Sequence, residues 1–540
     1  WRRAGPWAGA AVRRAALVAL LAFLVPCYGF DLRVAKGMYT RGYDSLRVSV
    51  ITSGPEDVPA PWQWSWKAPF QHHWRSKTLH SQIVRAAGQS VSLGGESVRL
   101  ELPSPGGHTA GLLLSDPCFT SRGGFRCPNG GLMKILDRLT QILNKLLASD
   151  DFHFWGILGD NFYDMRGEVT SEFFSRLSTV AKSKPFLTVV GNHDFWMSGQ
   201  PPGLPIDSLG YGFTQFYGQD TVAATRNAPY NLSGDPKKME IPAAENFIFG
   251  TQIGDLAFFG YSGAHDWKAT YPHAMAFCRW VGGAPTVHAV VLLGHWNLPN
   301  LGCHPQMDVP SVYRRLKGME GCKGKLMLYF MGHEHCNKVT EQGSGGVLDA
   351  FGFMIGGMGM WGTGCSQFGI TVLRSVPGAP GGPNVAVEHV PLAEDDSFGK
   401  DPLQLAEGFD EVLACLNISG FGGCREKHAL SFRAVSEDKI VKPRPLRKVT
   451  TTLPSTTTLP ARSTSTATST RSTVTTSGMA AATRAPGLTS PPVRLPPPSP
   501  LWPTAGPVAG PGAIGFPVGP GAGPAAGGAG GLAVATRPST

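Results

Sequence analysis

Five short polar clusters in the sequence carry side chains that could bind metal ions, and each cluster directly follows an apolar run. Their residue types are aspartate, asparagine, histidine and tyrosine; imidazole suits zinc and iron, and carboxylate suits harder ions. One carboxylate can bridge two ions that lie about 3.5–4 Å apart, and Asp160 is the natural bridge. The clusters are Asp116, Gly159-Asp160-Asn161-Phe162-Tyr163, Gly191-Asn192-His193-Asp194, Gly294-His295 and Gly332-His333-Glu334-His335.

Each cluster taken alone has a plain structural explanation. A single histidine after a strand commonly has a structural role, and an Asp-Asn pair often forms a turn or caps a helix. All five clusters, in this order and each after a predicted strand, instead favour one shared site that holds two cations.

The clusters lie at the ends of segments that alternate between strand and helix patterns. Short apolar runs predict buried strands, and apolar residues at helical spacing predict helices between them. Alternating units of this kind indicate an α/β domain, in which sites form where the carboxyl ends of strands open into loops. Predicted strands cover 111–115, 152–158, 186–190, 246–249, 256–261, 288–293, 325–331 and 368–373, and predicted helices cover 131–148, 170–182, 271–281 and 309–318.

At these clusters the sequence resembles the calcineurin-like metallophosphoesterases and, within them, the purple (tartrate-resistant) acid phosphatases. The resemblance covers about residues 110–375, and the clusters that contain Asp160, Asn192 and His333 match the purple acid phosphatase blocks fully. Tyr163 separates this branch from ordinary family members, since its phenolate binds ferric iron there. The resemblance implies a β-sandwich of two mixed sheets flanked by helices.

The resemblance also implies which residues hold which metal ion. The site with the tyrosine would bind Fe³⁺, and the second site would bind Fe²⁺, Zn²⁺ or Mn²⁺. Water activated by the two ions would then attack phosphorus. The implied ligands are Asp116, Asp160, Tyr163 and His335 for the first ion, and Asp160, Asn192, His295 and His333 for the second.

Three further residues are candidates for catalysis without binding metal. His193 adjoins the ligand Asn192, and we assign it to stabilising the phosphoryl oxygens or protonating the leaving group. Asp194 is expected to orient His193 through a hydrogen bond, with a helix cap as the alternative. His304 lies nine residues after His295, where the family often has a histidine. It is therefore the rival acid or a phosphate-binding residue, the alternative being a surface loop histidine.

The first cluster departs from the family pattern Asp-x-Gly, because Cys118 stands where the family has glycine. A disulfide between Cys118 and Cys127 is favoured over a thiolate ligand to iron. Spacing alone does not determine the other pairings. Further candidate pairs are Cys303 with Cys322 and Cys415 with Cys424, and candidate glycosylation sites are Asn231 and Asn417.

The distribution of charge argues against a nucleic acid as partner. The formal net charge is +10, but four arginines lie in the first 14 residues, and nine Lys or Arg with no acid lie in 441–540. The rest of the chain is therefore slightly acidic and offers no basic surface to a phosphate backbone. We expect a small phosphorylated molecule as the substrate.

Composition divides the 540 residues into four parts. Residues 1–29 are typical of a secretory signal, whose apolar run is short for a membrane span, although a signal anchor is the alternative. Residues 30–108 predict a small β-rich segment, and 109–440 the metallophosphoesterase domain with a C-terminal extension. Residues 441–540 predict a disordered Ser/Thr/Pro-rich and then Gly/Pro/Ala-rich tail, which could associate with a cell surface or wall. No other segment is apolar enough to cross a bilayer.

The resulting hypothesis is a secreted, binuclear acid phosphatase that hydrolyses phosphate monoesters. Its expected location is extracellular or, alternatively, a compartment of lysosome or vacuole type. A phosphodiesterase or nucleotide pyrophosphatase on the same centre is the first alternative. A non-catalytic secreted surface or matrix protein with a structural metal site is the second.

Overall fold

The fold is that of a computed structural model, which describes 31–52, 62–66, 77–86, 90–93, 96–119, 127, 131–164, 167–195, 210–226, 242–297, 306–342, 350–358, 367–379, 382–394 and 402–427. All of these residues belong to one compact unit. The predicted signal segment 1–29 and tail 441–540 lie outside them, as do Asn231, Cys303 and His304.

Strands and helices alternate through the middle of the chain, as the apolar pattern predicts. The strands are β1 (Asp31–Lys36), β2 (Ser45–Thr52), β3 (Trp64–Trp66), β4 (Thr78–Arg85), β5 (Ser90–Leu93), β6 (Glu96–Arg99), β7 (Ala110–Leu114), β8 (Phe154–Leu158), β9 (Phe186–Val189), β10 (Phe249–Ile253), β11 (Leu256–Gly260), β12 (Ala289–Leu293), β13 (Leu326–Met331), β14 (Asn337–Gln342), β15 (Ala350–Ile355), β16 (Gln367–Ala379) and β17 (Gly382–Glu394). The helices are α1 (Ile135–Leu147), α2 (Glu168–Arg176), α3 (Thr179–Ser183), α4 (Asn192–Phe195), α5 (Tyr211–Tyr217), α6 (Trp267–Gly283), α7 (Val309–Gly318) and α8 (Pro402–Lys427).

Two mixed sheets form the centre of the fold. The five-stranded sheet has the order β17-β16-β7-β8-β9, in which β7, β8 and β9 are parallel. The six-stranded sheet has the order β10-β11-β12-β13-β15-β14, in which β11, β12, β13 and β15 are parallel. The predicted β-sandwich of two mixed sheets is therefore confirmed.

The space between the sheets is filled by apolar side chains from both inner faces. Phe154 of β8 meets Phe258 of β11 edge to face, with ring centroids 4.9 Å apart. Every residue of β8 and β12 is buried, which is typical of parallel strands covered on both sides. The strand ends are thereby held rigidly relative to one another.

Helices cover the outer face of each sheet, as predicted. The apolar side of α1 packs with α2 and α8 in the cluster that covers the five-stranded sheet. Helices α6 and α7 pack in the cluster on the six-stranded sheet. Burial of one apolar stripe per helix explains the helical spacing seen in the sequence.

The N-terminal segment is a β-rich part of the same unit. Its four-stranded sheet has the order β1-β2-β4-β3, and β5 and β6 form a separate hairpin. Apolar residues of β1 and β2, such as Val34 and Val48, pack with Val98 and Leu100. On another part of β1, the buried guanidinium of Arg33 lies 3.2 Å above the ring of Phe174 in α2. The β-rich segment thus packs against the helices of the sandwich.

Several predicted elements have different limits in the structure, and two of them differ in more than length. The predicted helix 170–182 is two helices, because Leu177 is extended and Ser178 starts α3 by accepting a hydrogen bond from the Ala181 N–H. The predicted strand 246–249 was misplaced: residues 244–246 form a 3₁₀ helix, and β10 starts at Phe249. A two-residue turn between Ile253 and Leu256 sets the register of β10 against β11.

The disulfides agree with two of the three pairs suggested by spacing. Cys118 pairs with Cys127, and Cys415 pairs with Cys424. The suggested pair of Cys303 with Cys322 is wrong, because Cys322 bonds to Cys278 of α6. The fold brings the turn after α7 against α6 from 44 residues away, and sequence spacing does not contain that contact.

The C-terminal extension contains the long helix α8, which is kinked at Gly420. Asn417, one of the candidate glycosylation sites, is exposed on it. In the part of the chain that the structure describes, no helix combines the length and apolar character needed to cross a bilayer.

We expect Lys36→Met to stabilise the protein near neutral pH. Burial lowers the pKa of Lys36 to about 7, although Asp220 and Asp44 oppose that shift. Because the unfolded lysine keeps its proton up to about pH 10, the wild type gains stability as pH rises above 7. The variant should be more stable at pH 7, and this difference should shrink by about 3 kcal/mol by pH 9.5. Urea unfolding at both pH values measures it. The exposed Lys145→Met serves as control, and a pH-independent difference would contradict the expectation.

Candidate metal centre

The polar clusters of the sequence meet at one edge of the sandwich. Asp116 and Asp160 follow β7 and β8 of one sheet, whereas His295 and His333 follow β12 and β13 of the other. All four strands are parallel members of their sheets, so their carboxyl ends reach the same edge. The site is therefore built from loops that rigid strands position.

The backbone of these loops is unusual. Among the described residues, non-glycine positive φ angles occur at six positions, and five belong to the site loops. Such angles are costly for residues with a side chain, and they persist where surrounding contacts enforce them, commonly at functional sites. These five residues are Asp116, Asp160, Phe162, Tyr163 and His333.

Glycines allow the loops to approach one another closely. A Cβ on Gly191 would collide with the backbone nitrogen and carboxylate of Asp160. A Cβ on Gly332 would collide with Ser115 and would lie 2.6 Å from the Asp116 carboxylate. The glycines of the predicted clusters therefore leave the room that the carboxylates occupy.

Asp116, Asp160 and His295 form the centre of the site. Their ligand atoms all lie within 4.8 Å of one another, and all three residues are buried. His295 donates from Nδ1 to the Leu158 carbonyl at 2.8 Å, which leaves Nε2 facing Asp160 Oδ1 at 3.4 Å. A hydrogen bond of this kind to the other ring nitrogen is how metal-binding histidines are oriented in proteins.

The remaining ligand candidates surround this centre. The amide oxygen of Asn192 lies 3.2 Å from His295 Nε2 and 2.8 Å from His333 Nδ1. The phenol of Tyr163 donates to Asp116 Oδ1 at 3.1 Å and lies 3.0 Å from His335 Nε2. All seven residues proposed as ligands from the sequence thus come together in one group.

Electrostatics show that this group favours positive charge. Burial raises the pKa of Asp116 to about 7, with Asp160 adding to the shift. Burial would also raise the pKa of Asp160, but the charges of His295 and His193 outweigh it and hold that pKa below its usual range. Burial disfavours charge on His295, yet Asp160 and Asp116 raise its pKa to about 9. Protons therefore compensate the two carboxylates, and metal cations would replace them at the same atoms.

Tyr163 responds to the same environment. Burial and the neighbouring Asp116 and Asp160 raise its pKa well above 10. Without a bound cation its phenol therefore keeps its proton and donates to Asp116. A cation with a strong preference for phenolate would be needed to remove that proton.

His193 adjoins this group. Its backbone N–H donates to Asp160 Oδ1 at 2.8 Å, and its ring centroid lies 4.8 Å from that of Tyr163. Desolvation lowers the pKa of His193. The third catalytic candidate, His304, lies outside the described residues.

The expected hydrogen bond from His193 to Asp194 requires correction. Asp194 accepts instead from the Asn161 N–H at 3.1 Å, from Asn161 Nδ2 at 3.0 Å and from the Gly191 N–H at 2.7 Å. Both oxygens of its carboxylate accept hydrogen bonds that join the loop of Asp160 to the loop of Asn192. Asp194 is therefore a residue that holds ligand loops together rather than one that orients His193.

Two polar residues near the site were not singled out from the sequence. Asn161 is buried and joins Asp194 to Thr188, whose hydroxyl donates to Asn161 Oδ1 at 3.0 Å. Asn297 donates to Glu334, which lies between the two histidines of its cluster. Their positions inside or just after the clusters were visible, but their partners depend on loop geometry that sequence does not contain.

The first cluster contains the departure from the family pattern. Cys118 is buried and disulfide-bonded to Cys127, as favoured from the sequence. Its backbone N–H donates to the Met358 carbonyl at 2.9 Å. The cysteine therefore anchors the loop that carries Asp116 by a covalent bond.

Part of the chain matches a known family of phosphoesterases. Residues 132–337 match the calcineurin-like phosphoesterase family. Among solved structures, a purple acid phosphatase, PPD1, from yellow lupin (Lupinus luteus) seeds is 14% identical, with 68% of this chain and 72% of that chain covered and a TM-score of 0.43. PhoD is also 14% identical, with 69% and 88% covered and a TM-score of 0.35. A search of curated proteins found no match.

The family match over residues 132–337, together with the sandwich and its buried cluster of carboxylates and histidines, indicates a metal-dependent phosphoesterase. Asp116 precedes the matched stretch, and β7 brings it to the same group. Small phosphorylated molecules are accordingly the class of substrate.

We expect Asp194→Asn to weaken metal binding. An amide has only one acceptor oxygen, so its NH₂ group would face a donor of Asn161 or Gly191. Outer residues of this kind typically change metal affinity by 10–100-fold, and we expect a loss in that range. Titration of the metal-free protein with Zn²⁺ or Mn²⁺ measures it, with the exposed Asp151→Asn as control. An unchanged metal affinity with an altered pH–rate profile would instead support the original assignment to His193.

Proposed function

We propose that the protein is a phosphomonoesterase of the purple acid phosphatase type with two metal ions. The observation that carries the proposal is the position of the Tyr163 phenol, 3.1 Å from Asp116 Oδ1 and 3.0 Å from His335 Nε2. A phenol among carboxylates and imidazoles offers the ligand that distinguishes a ferric site from an ordinary divalent site. The complete set of seven donors in one group supports two ions rather than one.

The donor set fits the proposed ions. Among the described residues, only histidines are paired with the buried Asp116 and Asp160, and protons on Asp116 and His295 compensate the charge of the carboxylates. In the proposal Fe³⁺ is held by Asp116, Tyr163 and His335, and a divalent Fe, Zn or Mn ion by Asn192, His295 and His333, with Asp160 shared. Bound cations supply charge compensation for phosphate and lower the pKa of water toward 7.

The protein's own residues orient the substrate and move protons. His193 donates an N–H to a phosphoryl oxygen or gives its proton to the leaving oxygen. The carboxylate of Asp160 accepts a hydrogen bond from the backbone N–H of His193 and so holds that backbone in place. The Tyr163 ring packs beside the His193 imidazole. Because desolvation lowers its pKa, the protonated form of His193 would be a stronger acid, and the charge of a bound phosphate dianion would favour that protonated form.

We further propose that the protein acts outside the cytosol. Three disulfides join described cysteines, and disulfides persist in oxidising compartments.

An acidic pH optimum follows if Fe³⁺ is the ion beside Tyr163, since Fe³⁺ keeps a phenolate ligand at lower pH than Zn²⁺ does. Attachment to a cell surface through 441–540 remains a prediction about residues outside the described part.

Activity assays should distinguish the three candidate functions. We expect the purified protein to hydrolyse p-nitrophenyl phosphate faster than bis(p-nitrophenyl) phosphate and to lose activity on chelation. Asp160→Ala and His295→Ala should each lower kcat/KM by more than about 100-fold, because they remove ligands rather than outer residues. Exposed Asp150→Ala and His288→Ala are the matched controls. Faster cleavage of the diester would favour the phosphodiesterase, and no cleavage by metal-loaded protein would favour the structural metal site.

Tyr163→Phe should remove the spectroscopic signature of a ferric phenolate. The substitution removes one oxygen and keeps the ring that packs beside His193. We expect the iron-loaded wild type to show a visible charge-transfer band and the variant to lose it, as measured by absorption. Tyr313→Phe, at a buried tyrosine in the core over the other sheet, should keep the band. A band that survives in Tyr163→Phe would exclude Tyr163 as the ligand.

A further inference from the structure

A short segment after α5, residues 216–220, lies between the N-terminal sheet and the loops of the metal centre; we refer to it as the relay segment. It follows the site residues on α4 by about twenty positions and lies at the end of α5, where Gly218 has a positive φ. Its residues contact the N-terminal sheet on one side and Asn161 and Thr188 on the other. These two sets of contacts connect regions that are far apart in sequence.

The N-terminal sheet holds the relay segment through Arg33. This arginine is buried, and its Nε donates to the Phe216 carbonyl at 2.8 Å. The guanidinium stacks 3.2 Å above the Phe174 ring, and its Nη1 is paired with Asp31 at 2.6 Å. A charged donor at the last carbonyls of a helix is a favourable arrangement. Arg33 is thus fixed on three sides and aimed at the end of α5.

Asp220 holds the other end of the relay segment. Its Oδ2 accepts from the Met38 N–H at 2.8 Å and from Arg41 Nε at 2.8 Å. Arg47 of β2 contributes charge at 3.8 Å from Oδ1. Both ends of the segment are therefore attached to residues 31–52, which lie outside the stretch that matches the phosphoesterase family.

On the side of the metal centre, two contacts from the relay segment converge on Asn161. The Tyr217 hydroxyl donates to the Asn161 carbonyl at 3.4 Å. Gln219 Oε1 accepts from the Thr188 N–H at 3.4 Å, and the Thr188 hydroxyl donates to Asn161 Oδ1 at 3.0 Å. Asn161 is therefore held by the relay segment both directly and through β9.

Asn161 in turn sets the geometry of the ligand loops. It directly follows Asp160, and it gives two hydrogen bonds to Asp194, which adjoins His193. A displacement of Asn161 would change the distance between the loop of Asp160 and the loop of Asn192. Metal affinity depends on that distance, because ligands must be held at fixed separations.

We propose that Arg33 is a positioning residue for the metal centre, acting through the relay segment and Tyr217 on Asn161. The N-terminal sheet then sets the affinity of the centre for its metal ions. For its activity readout this inference rests on the proposed function, but its metal-binding readout does not.

Four variants test the proposal. Arg33→Met removes the donor to Phe216 and keeps an unbranched side chain over Phe174. Tyr217→Phe removes only a hydroxyl, which lies 3.4 Å from the Asn161 carbonyl and 3.3 Å from the Thr170 hydroxyl. The double variant tests whether both act on one path. Arg85→Met, an exposed arginine on β4 of the same sheet, is the matched control.

The measurement is the affinity of the metal-free protein for Zn²⁺ and Mn²⁺ by calorimetry, together with kcat, KM and the melting temperature. We expect each single variant to weaken metal binding by about 3–30-fold, somewhat below the upper end typical of outer residues. KM should change less than kcat, and Arg85→Met should match the wild type. The double variant should bind metal as tightly as the single variant with the lower affinity, since both substitutions interrupt the same series of contacts. Arg33→Lys, which keeps a charged donor, should recover part of the affinity.

Three results would overturn the proposal. Wild-type metal affinity in Tyr217→Phe would show that the relay segment does not act on the centre. Additive losses in the double variant would show that Arg33 and Tyr217 act separately. A lower melting temperature with unchanged metal affinity in Arg33→Met and Tyr217→Phe would assign both residues to stability alone. If Arg33→Met does not fold, the metal affinity of Tyr217→Phe decides between the two outcomes. If the wild type binds metal but cleaves no phosphate ester, the proposed function fails while the affinity test stands.

Discussion

The burial of two carboxylates side by side is the constraint on which the site depends. Asp116 and Asp160 are taken out of water at the same point, where like charges cannot both be stable without positive charge beside them. The opposite pKa shifts of the two aspartates and the raised pKa of His295 express this imbalance. Protons and metal ions compete for the same ligand atoms, so a lower pH weakens metal binding. A ligand that stays bound to its ion at low pH would therefore help the site to keep that ion.

The packing of the sandwich stabilises the loops that carry these buried carboxylates. Loops with unfavourable φ angles at Asp116, Asp160 and His333 persist because each follows a fully packed strand and is hydrogen-bonded to its neighbours. Asp194 and Asn161 add a second tier that joins two of the loops. The chemistry of the site is thus concentrated in a few residues, whereas the stability that permits it is spread over both sheets.

Much of the site could be predicted because its signals are local. Each cluster directly follows an apolar strand, and carboxyl ends of parallel strands share an edge, so the five clusters could be placed together from the strand pattern. The resemblance to the family then supplied the set of seven ligands. Contacts that depend on distant packing could not. Arg33 and Phe216 are 183 positions apart. Cys322 bonds to Cys278, and Asp194 accepts hydrogen bonds from Asn161 rather than from His193. Both contacts depend on how the loops pack in three dimensions, and residue type and spacing do not encode that packing. Strands β14, β15 and β17 were not predicted; β14 is almost entirely polar, whereas β15 and β17 carry apolar residues that were not singled out.

The pairing of β16 with β7 bears on how the enzyme could be shortened. The stretch that matches the family ends at residue 337, yet β7 hydrogen-bonds to β16, which begins at Gln367, and the cluster over the same sheet includes Phe409 and Leu416 of α8. A fragment cut to the matched stretch would lack the strand that leads to Asp116, and restoring that strand alone would leave it as an unprotected edge open to intermolecular pairing. The stretch that matches the family is therefore shorter than the stretch needed for folding. The smallest fragment that keeps both sheets of the sandwich complete and covered reaches from β7 through α8.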